Sequence, residues 1–128
     1  MIISESASDY ATTVKRLTEA TTARGLTIFC RIDHSAAARE VGLELPPEEV
    51  FLLGNPRIGT RLMEASPNVG YELPLRIVVW QEGDRVRLAH RDPREFVRLF
   101  GLEELRGMLD QMAGLLDTLT GEATNPSV

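Results

Sequence analysis

Three short stretches of this chain carry residue types that could do chemistry. Asp33-His34 stands where an alternating run ends. An imidazole there can ligate a metal, act as a general base or donate a hydrogen bond to a ligand. It can equally fasten a strand-to-helix turn through a ring nitrogen. Gly54-Asn55-Pro56 follows the apolar run Val50 to Leu53 without a spacer. Asn55 is a good helix cap, and Pro56 fits the first helical position, where a missing N–H costs nothing. A helix N-terminus beside Arg57, Thr60 and Arg61 can hold an anion, or the motif is capping punctuation and no more. Arg76 lies on the less apolar face of a third run and can meet a ligand carboxylate or an internal acid. Asp33, His34, Gly54, Asn55, Arg57 and Arg76 together form the candidate ligand-binding set. Their pocket is expected where the His34 turn and the Gly54-Asn55-Pro56 turn approach each other.

Catalytic and metal chemistries have less to draw on. His34 and His90 are the only histidines and Cys30 the only cysteine. Their spacing matches no HExxH, CxxC or EF-hand pattern, and no Ser-His-Asp order, Walker loop or dinucleotide fingerprint is present. Only ligation by two histidines across strands remains for a metal, and none is assigned; no cofactor is assigned either. Glu48-Glu49 and Glu103-Glu104 read as caps or solvated faces. An enzyme built on this chain would use His34 as acid or base.

The chain has 128 residues, enough for one domain with its own core. Its net charge of −5 and pI near 5.0 argue against a general nucleic-acid binder, which needs a basic face. Lys15 is the only lysine, so the positive charge is almost all arginine. One cysteine allows no internal disulfide. The first residues, Met1-Ile2-Ile3-Ser4-Glu5, lack the basic and apolar regions of a signal peptide. No stretch approaches the ~20 apolar residues of a membrane helix. A cytoplasmic location is expected, away from membranes.

The elements that must position these residues follow from periodicity. Ile2 and Ile3 open a short strand, and Ser6 or Ser8 is expected to cap a helix carrying Tyr10, Val14, Leu17 and Thr21, ended by Gly25. Leu26 to Asp33 alternates strictly, which places Cys30 on the apolar face as an inert core thiol. A short helix from Ala36 to Val41 follows. The Pro56 helix turns Ile58, Leu62 and Ala65 inward. Pro67 to Gly70 reads as a loop. Leu73 to Gln81 is a strand with Leu73, Leu75, Ile77 and Val79 on one face, and Pro74 puts its start at an edge or a bulge. Glu82-Gly83-Asp84 turns it back into Arg85 to His90. After Asp92-Pro93 comes a short helix with Phe96, Val97 and Phe100. The last and longest helix is predicted by Leu102, Leu105, Leu109, Met112, Leu116 and Leu119. Gly107 and Gly114 lie on its polar side, where a second backbone could approach. Residues 1–120 form a single domain in this reading, and 121–128 a flexible tail.

Several of these residues, in order, resemble one bacterial and archaeal family, catalogued as "domain of unknown function 302". The likeness rests on Ile32-Asp33-His34 with Ala37, on Gly54-Asn55-Pro56 with Gly59-Thr60 and Leu62-Met63, on Leu73-Pro74-Leu75-Arg76, and on Asp92-Pro93. It covers nearly the whole chain. It implies a compact α+β fold of the TATA-binding-protein class, a mainly antiparallel curved sheet with helices packed on one face. It also implies dimers, and it brings no established activity. The chain departs from the family in carrying His90 where tyrosine is more common, and Leu53 where phenylalanine is common.

The functional expectation is a homodimeric domain that binds a small molecule or an anion and performs no chemistry of its own. The alternatives are an enzyme using His34, and a structural or interaction module.

Overall fold

The computed structural model describes residues 1–125. Five strands form one antiparallel sheet in the order β1-β5-β4-β3-β2. They are β1 (Ile2–Ser6), β2 (Thr27–Asp33), β3 (Glu48–Gly54), β4 (Leu75–Glu82) and β5 (Arg85–His90). The helices are α1 (Tyr10–Ala23), α2 (His34–Glu40), α3 (Pro56–Ala65), α4 (Glu95–Phe100) and α5 (Arg106–Thr124). The α+β class and the one-sided helical layer are as the apolar periodicities predict.

The core lies between the sheet and the helices. Phe51, Leu53, Ile77, Val79 and Leu88 point from the strands toward Leu17 of α1 and Leu109, Leu116 and Leu119 of α5, and all are essentially inaccessible. Burial of each such side chain contributes about 1.5–3 kcal/mol. The α5 stripe thus does what its spacing predicts, although Leu102 and Leu105 belong to the turn and 3₁₀ segment before it. The β4–β5 hairpin closes through Gly83 at φ +63°, an angle that favours glycine.

Several local expectations are corrected. Asp9, not Ser6 or Ser8, caps α1, its carboxylate accepting from the Thr12 N–H at 2.8 Å. Ser6 instead accepts from the Ser8 N–H and shares a hydrogen bond with the Thr13 hydroxyl. Pro67–Glu72 is a 3₁₀ helix with Val69 buried, and Ala65 is exposed. Residues 121–124 are not a loose tail: α5 continues through them, Ala123 is inaccessible, and Glu122 bonds the Arg24 guanidinium at the end of α1. The rest of the expected tail, 126–128, lies outside the described residues. Pro74 does precede a local edge, since Leu75 to Ile77 pair with β3 alone, although β4 is the middle strand of the five and the edge strands are β1 and β2.

Cys30 is exposed, not core. The pairing of β2 with β3 shifts between Ile28 and Cys30, so Phe29 is an extra residue in the ladder. One inserted residue moves everything after it to the other face. Ile28 lies opposite Leu53 on the helix side, Cys30 lies opposite Leu52 on the open side, and Arg31 returns to the helix side opposite Phe51.

Candidate functional site

Asp33 ends β2 and caps α2. Its Oδ1 accepts from the Ala36 N–H at 2.8 Å and from the Ser35 hydroxyl at 2.7 Å. Those two donors, the hydroxyl first, hold its carboxyl below the ordinary aspartate value. The Ser35 oxygen in turn accepts from the Glu48 N–H at 3.4 Å, which ties the turn to β3. His34 is the first residue of α2 and is exposed.

Asn55 fastens the other turn. Its Oδ1 accepts from the Arg57 N–H, and its carbonyl accepts from the N–H groups of Ile58 and Gly59, each at 3.0 Å. Pro56 has no N–H. The first donors of α3 are therefore already used, and the turn offers an anion no free backbone group. Behind it lies an apolar niche of about 40 Å³ between Leu26, Ile58, Leu73, Met112 and Leu115. Arg57 sits on the exposed outer side of α3 with Thr60, Arg61 and Glu64.

The two turns do not share a pocket. Thr27 pairs with Gly54 and Asp33 with Glu49, so the turns stand at opposite ends of one antiparallel ladder, about 17 Å apart along the strands. Of the six expected site residues, Asp33 and His34 stay together, as do Gly54, Asn55 and Arg57. Arg76 belongs to neither group.

Arg76 lies in a cleft of its own. β4 pairs with β3 from Leu75 onward, but with β5 only from Val78, opposite Ala89. Beyond that pair the middle strands fork. The fork opens a cleft of about 310 Å³ on the sheet face away from the helices. Arg76, Arg91, Tyr71 and Glu72 rim it, and Phe96 and Leu116 of the core are reached through it. The volume is at the small end of the range for ligand sites. Arg91 contacts Glu72 through Nε at 3.3 Å and Glu95 at 3.9 Å. The Arg76 guanidinium has neither an ion pair nor a hydrogen bond among the described residues. Two guanidinium groups, one phenol and one carboxylate at the mouth of an apolar cleft can hold a small anion through forked hydrogen bonds.

Tyr71, Glu72 and Arg91 went unrecognised in the sequence, because the fork depends on where a ladder stops. The available signal was Pro74, which cannot donate and immediately precedes the strand residues that β5 leaves unpaired. His90 lies on the covered side of β5, 2% exposed. Its Nδ1 is 2.8 Å from the Arg91 carbonyl, so Nδ1 carries the proton, and Nε2 is buried without a partner. His34 opens α2 just after β2 and His90 ends β5, two strands that are not neighbours, and among the described residues no group of three His, Cys, Asp or Glu could hold a metal ion.

This architecture defines a single-sheet α+β domain whose cleft opens on the uncovered side of the sheet. The chain belongs to the family described as Domain of unknown function DUF302, whose profile matches residues 2–122. A crystal structure of an uncharacterized conserved protein DUF302 from Bacillus stearothermophilus superimposes with a TM-score of 0.85, covering 97% of each chain at 20% identity. That likeness shows the shared fold. Two curated relatives are each 38% identical over 94 residues, 73% of this chain: the fluoride-specific ion channels FluC 1 of Brucella suis biovar 1 (strain 1330) and of Brucella abortus biovar 1 (strain 9-941). The chain spans 37% and 35% of those two proteins, about a third of their length. No helix among the described residues is long and apolar enough to cross a membrane.

Proposed function

We propose that this chain is a homodimeric cytoplasmic domain that binds a small anion in the β4–β5 fork and performs no chemistry of its own. The observation that carries the reading is the Arg76 guanidinium, left without a partner beside Arg91 at the mouth of the cleft. An arginine spends its donors on a carboxylate or phosphate wherever one is in reach. Arg76 is exposed, so water serves its donors until an anion enters the cleft beside Arg91. Asp33, His34, Gly54, Asn55 and Arg57 fit the reading less well, since their polar atoms are engaged in capping or face open solvent. Catalysis by His34 has little support: the imidazole is exposed, and the neighbouring Asp33 carboxylate is committed to the α2 cap. The single cysteine agrees with a reducing compartment. The uncovered sheet face supports the dimer.

The longer relatives are named as fluoride channels, so fluoride belongs among the anions to try. The test is a thermal-shift panel of sodium fluoride, chloride, phosphate, acetate and succinate at constant ionic strength, run on the wild type and on Arg76→Gln. A ligand that binds the folded chain raises its melting temperature by mass action. The expected result is a shift with at least one anion that Arg76→Gln loses. No shift with any anion, or an equal shift in the variant, overturns the proposal.

A further inference from the structure

The cleft in the β4–β5 fork is graded from its mouth inward. Arg76, Arg91 and Tyr71 stand at the rim and are exposed, with Glu72 half-buried beside them. The other walls are apolar. Leu75, Ala89, Phe96 and Leu116 all line the cleft, and all four are buried. Val78 and Ala89 form the last pair of the β4–β5 ladder, and past them the two strands part. The cleft is therefore a slot that leads from a charged rim into the apolar layer between sheet and helices.

Size and charge narrow what fits it. The slot holds about 310 Å³, whereas a halide takes up about as much space as one water, roughly 30 Å³. A bare inorganic anion leaves the apolar walls in contact with water, or brings its charge against them, and neither is favourable. An apolar group removes those walls from water. At the rim, Arg91 already faces two carboxylates, Glu72 at 3.3 Å and Glu95 at 3.9 Å. Arg76 faces none among the described residues. One guanidinium is thus left for one negative charge, and Glu72 repels a second.

We infer that the ligand of this cleft is a monocarboxylate with an apolar body, a short-chain fatty acid or an aryl acid. Its carboxylate meets Arg76 at the rim, and its body enters the slot toward Phe96 and Leu116. The inference rests on the anion reading above and names the class of anion. The planar guanidinium fork matches a carboxylate in two parallel hydrogen bonds. The charge stays at the wet mouth, where it costs little desolvation, while the body displaces water from the slot. Phosphate has no body to fill the slot. Succinate has one, but carries a second charge into an apolar wall. Acetate has the right head and too little behind it.

Isothermal titration with sodium acetate, butyrate, hexanoate and octanoate at pH 7 and constant ionic strength tests this, with 1-hexanol as the uncharged body. Affinity is expected to rise about three- to fourfold per added methylene until the slot is full. Arg76→Gln should weaken hexanoate fivefold or more, to the level of 1-hexanol. Val78→Phe and Val50→Phe, at half-buried positions along the slot, should each lower the ratio of hexanoate to acetate affinity. Two such variants guard against one that fails to fold, which far-ultraviolet circular dichroism detects. Equal affinity for acetate and hexanoate overturns the apolar body and leaves a small anion in the fork. Hexanol binding as tightly as hexanoate overturns the role of the carboxylate. A chain-length dependence that none of the three variants changes puts the acid elsewhere and overturns the site. Failure of every acid, with a shift by fluoride, chloride or phosphate retained, overturns this inference alone; failure of every anion removes the anion reading with it.

Discussion

The guanidinium carbon of Arg31 sits 4.8 Å from the centre of the Phe51 ring, on the side of the sheet that the helices cover. A charged residue reaches that side only because Phe29 is inserted in the β2 ladder. Once there, Arg31 donates to the Glu49 carboxylate at 2.9 and 3.2 Å, and the Tyr10 hydroxyl donates to the same carboxylate at 3.2 Å. Desolvation, then the Glu49 charge, pushes the Tyr10 hydroxyl well above its ordinary value. The three residues tie α1 to β2 and β3. Arg31→Ala is expected to cost about 1–3 kcal/mol, because it strips the Glu49 carboxylate, only 12% exposed, of its cation. Arg31→Lys should recover part of that, since it keeps the charge and loses the fork. Urea unfolding of the three proteins measures both differences.

Leu109 is the inaccessible centre of the α5 stripe. Leu109→Ala should destabilise the fold by about 2–5 kcal/mol, from lost transfer energy and the cavity left behind. Gly107→Ala is the matched control on the same helix. The space around Gly107 is open, and alanine favours the helix by up to about 1 kcal/mol, so that change should be neutral or stabilising. The denaturant midpoint should fall in Leu109→Ala and hold or rise in Gly107→Ala.

The contrast between Leu109 and Cys30 shows what could be read before the fold was known. Leu109, Met112 and Leu116 obey a period fixed by helix geometry alone, so their burial follows from spacing. The β4 face pattern follows in the same way. Cys30 obeys a period that holds only while pairing is regular, and the bulge at Phe29 belongs to the two-strand ladder, not to β2 alone. The expected pocket between His34 and Asn55 was misplaced for a related reason. Both turns read as helix starts in the sequence, and Asp33 and Asn55 do cap α2 and α3. The direction in which β2 and β3 pair decides whether such turns meet, and antiparallel pairing sends them to opposite ends. Arg76 is legible from its place on a strand face, whereas its cleft neighbour Arg91 joins it only through the fork between β4 and β5.

Two capping carboxylates, Asp9 and Asp33, and the turn carboxylate Asp92 set the acid side of the stability profile. Asp9, Asp33 and Asp92 are each held below the ordinary aspartate value, chiefly by hydrogen bonds from Thr12, Ser35 and Arg94 respectively. A folded-state value lowered below the unfolded one adds stability that is present above the unfolded value of about 3.9 and is lost as pH falls through the folded value. Unfolding midpoints should therefore hold steady from neutral pH down to about pH 5 and fall below pH 4. Asp33→Asn keeps a capping acceptor but cannot titrate. Its stability at pH 7 should stay close to the wild type, and its acid decline should be shallower. A decline as steep as the wild type's would show that Asp33 has no part in it.

Glu72 offers a test of charge sign in the cleft. It lies 3.3 Å from Arg91 Nε and is the acid among the rim residues Tyr71, Arg76 and Arg91. An anion entering the cleft competes with this carboxylate for Arg91 and is repelled by it. Glu72→Gln removes the charge and keeps the shape. An exposed ion pair contributes up to about 1 kcal/mol, so the variant should bind the anion found in the thermal-shift panel about three- to fivefold more tightly. Arg76→Gln should bind it more weakly, and the double variant should fall between the two. Added sodium perchlorate should weaken all three, because contacts at an open mouth are screened. Isothermal titration at two ionic strengths reads these effects directly. Tighter anion binding in Arg76→Gln together with weaker binding in Glu72→Gln would mean that the cleft selects cations, and the anion reading would fall.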